Sequence, residues 1–152
     1  MRSPDLAVEQ DSSRKFPESR NPDYSMIRVA LADDHPELRL AVRLLLRLSH
    51  EIEVVGETSN GQEALDCVMR LQPDVLVIDI QMPVLDGLTA TKQIVDLSLP
   101  TRVIIISLTR GSFIARKAAA AGAKGFLAKD DLAGSLLPAI EAVYRGELFF
   151  RE

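Results

Sequence analysis

The chain of 152 residues has no tryptophan and one cysteine, Cys67. A single cysteine excludes an intrachain disulfide and agrees with a reducing cytosol. Long apolar runs are missing too. Val103–Ile106 is far too short to cross a bilayer, and the N-terminus has no apolar core of a secretory signal. A cytoplasmic location with no membrane association is therefore expected. Positive charge is not in excess: the net charge is -4 and the pI about 5.2, which argues against direct nucleic acid binding over the surface. Histidine is scarce. His35 has no second histidine nearby and is read as having no metal role, and His50 lies in a loop.

What is present is ordinary for one soluble domain: 47% hydrophobic and 26% charged residues. Residues 1–25 mix charges with Ser12, Ser13, Pro4, Pro17 and Pro22, and read as a disordered N-terminal tail. Residues 26–152 read as one domain. In it, apolar runs ending in polar residues alternate with helical patterns. The runs begin at Ile27, Ile52, Val75, Arg102 and Lys124. Helices are expected over 36–48, 61–71 (capped by Ser59 or Asn60), up to about Leu97, over 113–121, and up to about Arg145. Pro138 would break a helix interior, so the main part of the last helix is expected to start near Ser135. Five strands alternating with five helices predict an α/β fold with a doubly wound, five-stranded parallel sheet.

In such sheets the functional site lies beyond the carboxyl ends of the strands. Asp33, Asp34, Asp79, Ser107 and Lys129 all fall at or just past those ends. Three converging carboxylates repel one another unless a cation sits among them, and oxygen donors suit Mg2+. Asp34 and Asp79 are placed as direct ligands, with Asp33 acting through water. A carboxylate also serves as a nucleophile toward phosphorus. Lys129 supplies a compact positive charge and Ser107 a hydroxyl for phosphoryl oxygens. The expected chemistry is phosphoryl transfer onto Asp79, followed by hydrolysis. Taken singly, Asp34 or Ser107 is a plain helix cap and Lys129 a solvated side chain; their joint placement carries the argument.

These residues resemble a known family. Asp33-Asp34-His35-Pro36, the run Asp79-Ile-Gln-Met-Pro-Val-Leu-Asp-Gly87, Ser107 and Gly125-Phe-Leu-Ala-Lys129 look like the receiver domain of two-component response regulators, which has a flavodoxin-like fold. Asp-Asp-His-Pro and Arg145-Gly-Glu147 look most like the subfamily with LuxR-type helix-turn-helix output. The resemblance implies Asp79 as phosphoacceptor and Asp33, Asp34, Asp79 and the Gln81 backbone carbonyl as the Mg2+ site. It implies that Ser107 and Lys129 contact the phosphoryl group, and that Ser107 and Phe126 act as a switch in which the ring rotates inward. Gln81, Leu108 and Thr109 stand at positions that tune phosphate lifetime, and bulky Leu108 departs from the small residue found in many receivers. The implied partners are a sensor histidine kinase and a phosphorylation-dependent homodimer formed through the helix beginning at Phe113, the fifth strand and the last helix.

Arg39, Arg43 and Arg47 recur every four residues and predict one exposed basic stripe. The chain runs only to Glu152, so it is read either as the regulatory half of a transcriptional regulator or as a stand-alone relay or sink. It is expected to catalyse only its own phosphorylation and dephosphorylation. Three rivals stay open. A flavin binder needs a Ser/Thr/Gly-rich first loop, where this chain has Asp33-Asp34. A dehalogenase-type phosphatase needs Asp where Gln81 stands. A pseudo-receiver would keep the fold without phosphorylation.

Overall fold

A computed structural model describes residues 25–152; the predicted N-terminal tail, apart from Ser25, lies outside the described residues. The strands are β1 (Ile27–Ala32), β2 (Ile52–Thr58), β3 (Val75–Asp79), β4 (Arg102–Ser107), β5 (Gly125–Ala128) and β6 (Phe149–Phe150). Between them lie α1 (Pro36–Leu46), α2 (Gly61–Leu71), α3 (Gly87–Asp96), α4 (Ser112–Ala121) and α5 (Leu132–Tyr144). All pairings are parallel, in the order β2-β1-β3-β4-β5-β6. The predicted doubly wound sheet is present. The short β6 extends it by one strand that the pattern did not reveal.

Apolar strand residues alternate between two buried layers, as a two-residue side-chain period requires. Val75 and Val77 of β3, with Ile104 and Ile106 of β4, pack toward Val42 and Leu46 of α1 and Leu136 and Ile140 of α5. Leu76, Ile78, Val103 and Ile105 pack toward α2, α3 and α4. Both sheet faces are thus covered, which is why the central strands read as continuous apolar runs.

Helix starts follow local chemistry. Asn60 caps α2 by accepting from the Glu63 backbone N–H at 2.8 Å, while the Glu63 carboxylate accepts from the Ser59 N–H and hydroxyl. Asp86 caps α3 through Thr89 N–H at 2.8 Å. His35 precedes α1 without a side-chain cap, and Pro36 opens the helix.

Two expectations need correction. The basic stripe is not a free surface: Arg39 and Arg43 fold onto the Glu57 carboxylate of β2, and Arg39 also donates to the Asp33 carbonyl at 2.6 Å. Only Arg47 is exposed. The exposed leucines are instead Leu40 and Leu44 of α1, with Leu48 in the turn after it. The last helix does not start near Ser135 either. It begins at Leu132 and carries Pro138 in its interior. Packing of Leu136, Ala139, Ile140 and Val143 against the sheet outweighs the lost backbone bond at this exposed position. Replacing Pro138→Ala restores that N–H donor and should raise stability by about 2 kcal/mol, measured by urea denaturation; a loss of stability would show that the helix depends on the ring.

Candidate functional site

The order β2-β1-β3 places the reversal of strand order between β1 and β3, where open α/β sheets hold their sites. Ala32 pairs with Ile78, so Asp33 and Asp79 emerge side by side. Asp79 pairs with Ile106, and Ser107 with Ala128, which puts Ser107 and Lys129 at the same edge. Asp33, Asp79 and Ser107 are all buried.

Lys129 organises the centre. Its ammonium lies 2.9 Å from Asp33 Oδ2 and 3.0 Å from Asp79 Oδ2, with only 9% of its side chain exposed. Burial opposes its charge, but the bonds to Asp33 and Asp79 outweigh that and hold its pKa above the ordinary lysine value. Asp79 is pushed the other way. Burial raises its pKa above the usual carboxylate value, the Lys129 bond opposes this, and the Asp33 charge adds to the rise. The ion pair therefore does not fully offset the cost of two buried carboxylates.

The remaining contacts set the shape. Gln81 N–H donates to Asp79 Oδ1 at 3.2 Å. His35 N–H donates to Asp33 Oδ1 at 2.8 Å, and His35 Nδ1 lies 3.1 Å from that oxygen and 3.2 Å from Asp34 Oδ1. Thr109 N–H donates to Ser107 Oγ at 3.0 Å. Phe126 is fully buried among the residues facing α4, so its ring already lies inward. Leu108 is 77% exposed and projects into solvent, and Gln81 and Thr109 are exposed beside it.

Two glycines fix the loop after Asp79. A Cβ on Gly87 would sit 2.2 Å from the Asp79 carbonyl oxygen, and one on Gly61 would sit 1.9 Å from that of Leu85. Either substitution would push the end of β3 or the loop that follows Asp79. Val84, in the same loop, has φ +72, a costly conformation for a β-branched residue.

The donor set suits a hard divalent cation. Asp33, Asp34, His35 and Asp79 offer ligand atoms within 4.8 Å of one another. Asp33 Oδ2 and Asp34 Oδ1 are shielded from solvent; Asp33 Oδ2 faces the Lys129 ammonium at 2.9 Å and Asp34 Oδ1 faces His35 Nδ1 at 3.2 Å, so three carboxylates share one lysine and the excess negative charge favours a cation. The sequence placed all three aspartates correctly. The sequence reading assigns His35 no metal role; its ring nitrogen lies among the carboxylate oxygens of the cluster.

Because Asp79 binds its proton more tightly folded than unfolded, its ionisation subtracts stability as pH rises through its raised pKa. Asp79→Asn should therefore raise the melting temperature at neutral pH in metal-free buffer. The gain should shrink as pH falls below the ordinary carboxylate range, where Asp79 is already neutral. Thermal melts across pH test this, and a pH-independent difference would refute it.

Known proteins agree with this geometry. Residues 29–141 match the response regulator receiver domain family. The chain is 38% identical over 125 residues to a putative transcriptional regulator of Pseudomonas aeruginosa, covering 82% of this chain and 60% of that protein. It is 37% identical over 123 residues to the virulence factors putative positive transcription regulator BvgA of Bordetella pertussis, covering 81% and 58%. The chain thus spans about 60% of the curated relatives it matches. The signal receiver domain of the putative response regulator NarL from Mycobacterium tuberculosis superposes with a TM-score of 0.78 at 36% identity, covering 81% of this chain and 99% of that one. The isolated receiver domain of RcsB from Salmonella enterica serovar Typhimurium, in the presence of phosphomimetic BeF3−, gives 0.76 at 25% identity, covering 84% and 95%. With its aspartates, Ser107 and Lys129 gathered at the strand ends, the chain belongs to the receiver domain family of two-component response regulators, close to regulators of the LuxR type.

Proposed function

We propose that Asp79 accepts a phosphoryl group from a sensor histidine kinase in a Mg2+-dependent reaction, and that this governs contacts of a cytoplasmic transcriptional regulator. The observation that carries the reading is the Asp79 carboxylate, buried and held 3.0 Å from Lys129 at the strand edge. An Asp79 carboxylate oxygen bonds to phosphorus while the bond from phosphorus to the donor breaks, and the donor atom keeps the electron pair. Water later attacks phosphorus and returns Asp79 as a carboxylate. The chain catalyses only these two steps on itself.

Asp33, Asp34, Asp79 and the Gln81 carbonyl would hold the cation, whose charge supplies neutralisation of the phosphoryl oxygens. Lys129 is already charged and desolvated, so its attraction for those oxygens needs little reorganisation. Ser107 Oγ accepts from Thr109 N–H and keeps its own proton to donate. With Leu108 turned into solvent, nothing supports its blocking Asp79, and a pseudo-receiver loses its main argument.

Acetyl phosphate with Mg2+ should add the mass of one phosphoryl group to the wild-type protein and none to Asp79→Asn. Lys129→Ala should label on the order of a hundredfold more slowly. Labelling that persists in Asp79→Asn would overturn the assignment.

The two relatives above are described as putative transcription regulators, which supports a phosphorylation-dependent homodimer as the output event. Its proposed surface is α4, β5 and α5, where Phe113 of α4 is exposed beneath the Lys117 ammonium, 5.3 Å from the ring. Sedimentation with beryllofluoride and Mg2+ should show a rise in mass over the metal-only sample, and Phe113→Ala should reduce it. An unchanged mass would refute the dimer.

A further inference from the structure

We propose that His35 is itself a ligand of the cation site through Nδ1, making it a mixed nitrogen–oxygen site that also takes Mn2+, Co2+ and Ni2+. This rests on the reading above that a divalent cation binds beside Asp79. The geometry is specific. Neighbouring ligand atoms around a six-coordinate ion of this size are about 3.0 Å apart. Nδ1 of His35 lies 3.1 Å from Asp33 Oδ1 and 3.2 Å from Asp34 Oδ1, the spacing of atoms sharing a coordination shell. Asp33, with 4% of its side chain exposed, turns Oδ2 to the Lys129 ammonium at 2.9 Å and Oδ1 to His35.

The main chain holds His35 in place. Its N–H is bonded to Asp33 Oδ1, and Pro36 fixes the first turn of α1 immediately after it. Its side chain is 62% exposed, so a cation arriving from solvent meets the imidazole before the buried carboxylates. An imidazole nitrogen adds little affinity for Mg2+ but progressively more along the first transition series. The nitrogen must give up any proton before it binds metal.

The alternative, a surface histidine that merely pairs with two carboxylates, makes a different prediction. Dissociation constants for Mg2+, Mn2+, Co2+ and Ni2+ should be measured by calorimetry on the unphosphorylated protein, above the usual imidazole range. The proteins compared are wild type, His35→Ala and Asp34→Asn. Ligation predicts that His35→Ala weakens Mg2+ by less than about threefold, with a loss that grows through Mn2+ to roughly tenfold or more for Ni2+. Nitrogen hyperfine coupling to bound Mn2+ should also vanish in His35→Ala. Equal losses for all four ions, or no nitrogen coupling in wild type, would overturn the proposal while leaving the cation site intact. If Asp34→Asn binds every ion as wild type does, the cation site itself is refuted, and this inference with it.

Discussion

Two carboxylates buried on adjacent strand ends share one ammonium, and the rest of the structure is arranged around that imbalance. Asp33 and Asp79 are each almost fully buried, and both lie at bonding distance from Lys129. Lys129 cancels one negative charge and leaves the other, while Asp34 adds a third carboxylate at the rim. Uncompensated buried charge costs several kcal/mol, which is why Asp79 resists ionisation despite its lysine. Such a centre is stabilised by any added cation. The strand order makes it possible, since only β1 and β3 as neighbours bring Asp33 and Asp79 together. Lys129 must reach across the end of β4 to meet them, a span that suits its four-carbon stem.

Holding like charges together requires a stiff surround, and the supporting residues supply it through backbone contacts. Arg39 donates to the Asp33 carbonyl and pairs with Glu57, tying the ends of β1 and β2 to α1. Gly87 lets its helix start against the Asp79 carbonyl, and Gly87 N–H bonds to Ile80 O at 2.9 Å. The buried polar residues at the opposite sheet edge behave differently. Asp74 accepts from Arg28 N–H, and Thr101 donates to the Pro73 carbonyl at 2.6 Å. Those groups serve the backbone, whereas Asp33 and Asp79 share the Lys129 ammonium. Burial alone does not set these carboxylates apart; the charged partner they share does.

Most of the sheet was legible because its central strands are buried on both faces and so read as apolar runs ending in polar residues. Asp79 and Ser107 close such runs, and their place at the strand ends was legible from that pattern. Three features were not legible, each for a physical reason. β6 has two residues, too short for any periodicity, and it exists because Gly125 lets the Phe149 carbonyl approach β5. Pro138 looked like a helix breaker because its local cost is visible in the sequence, while the tertiary packing that overrides it is not. The arginine stripe was read from helical spacing alone. Spacing gives the face of α1 but cannot show that β2 presents Glu57 to it.

The added strand bears on how an event at the site reaches the rest of the chain. β5 carries Phe126 and leads directly into Lys129. On its outer side, the Lys124 carbonyl accepts from Phe149 N–H at 3.0 Å, and the Phe126 carbonyl accepts from Arg151 N–H at 2.9 Å. Phe150 packs on the same apolar layer as Phe126. A displacement of β5 therefore cannot be absorbed within that strand. Its bonds to residues 149–151 either move with it or break, and an edge pair of two residues is the weakest part of the sheet. Residues 149–151 are thus coupled to β5 by two backbone bonds and by Phe149 and Phe150, one packed on each apolar layer.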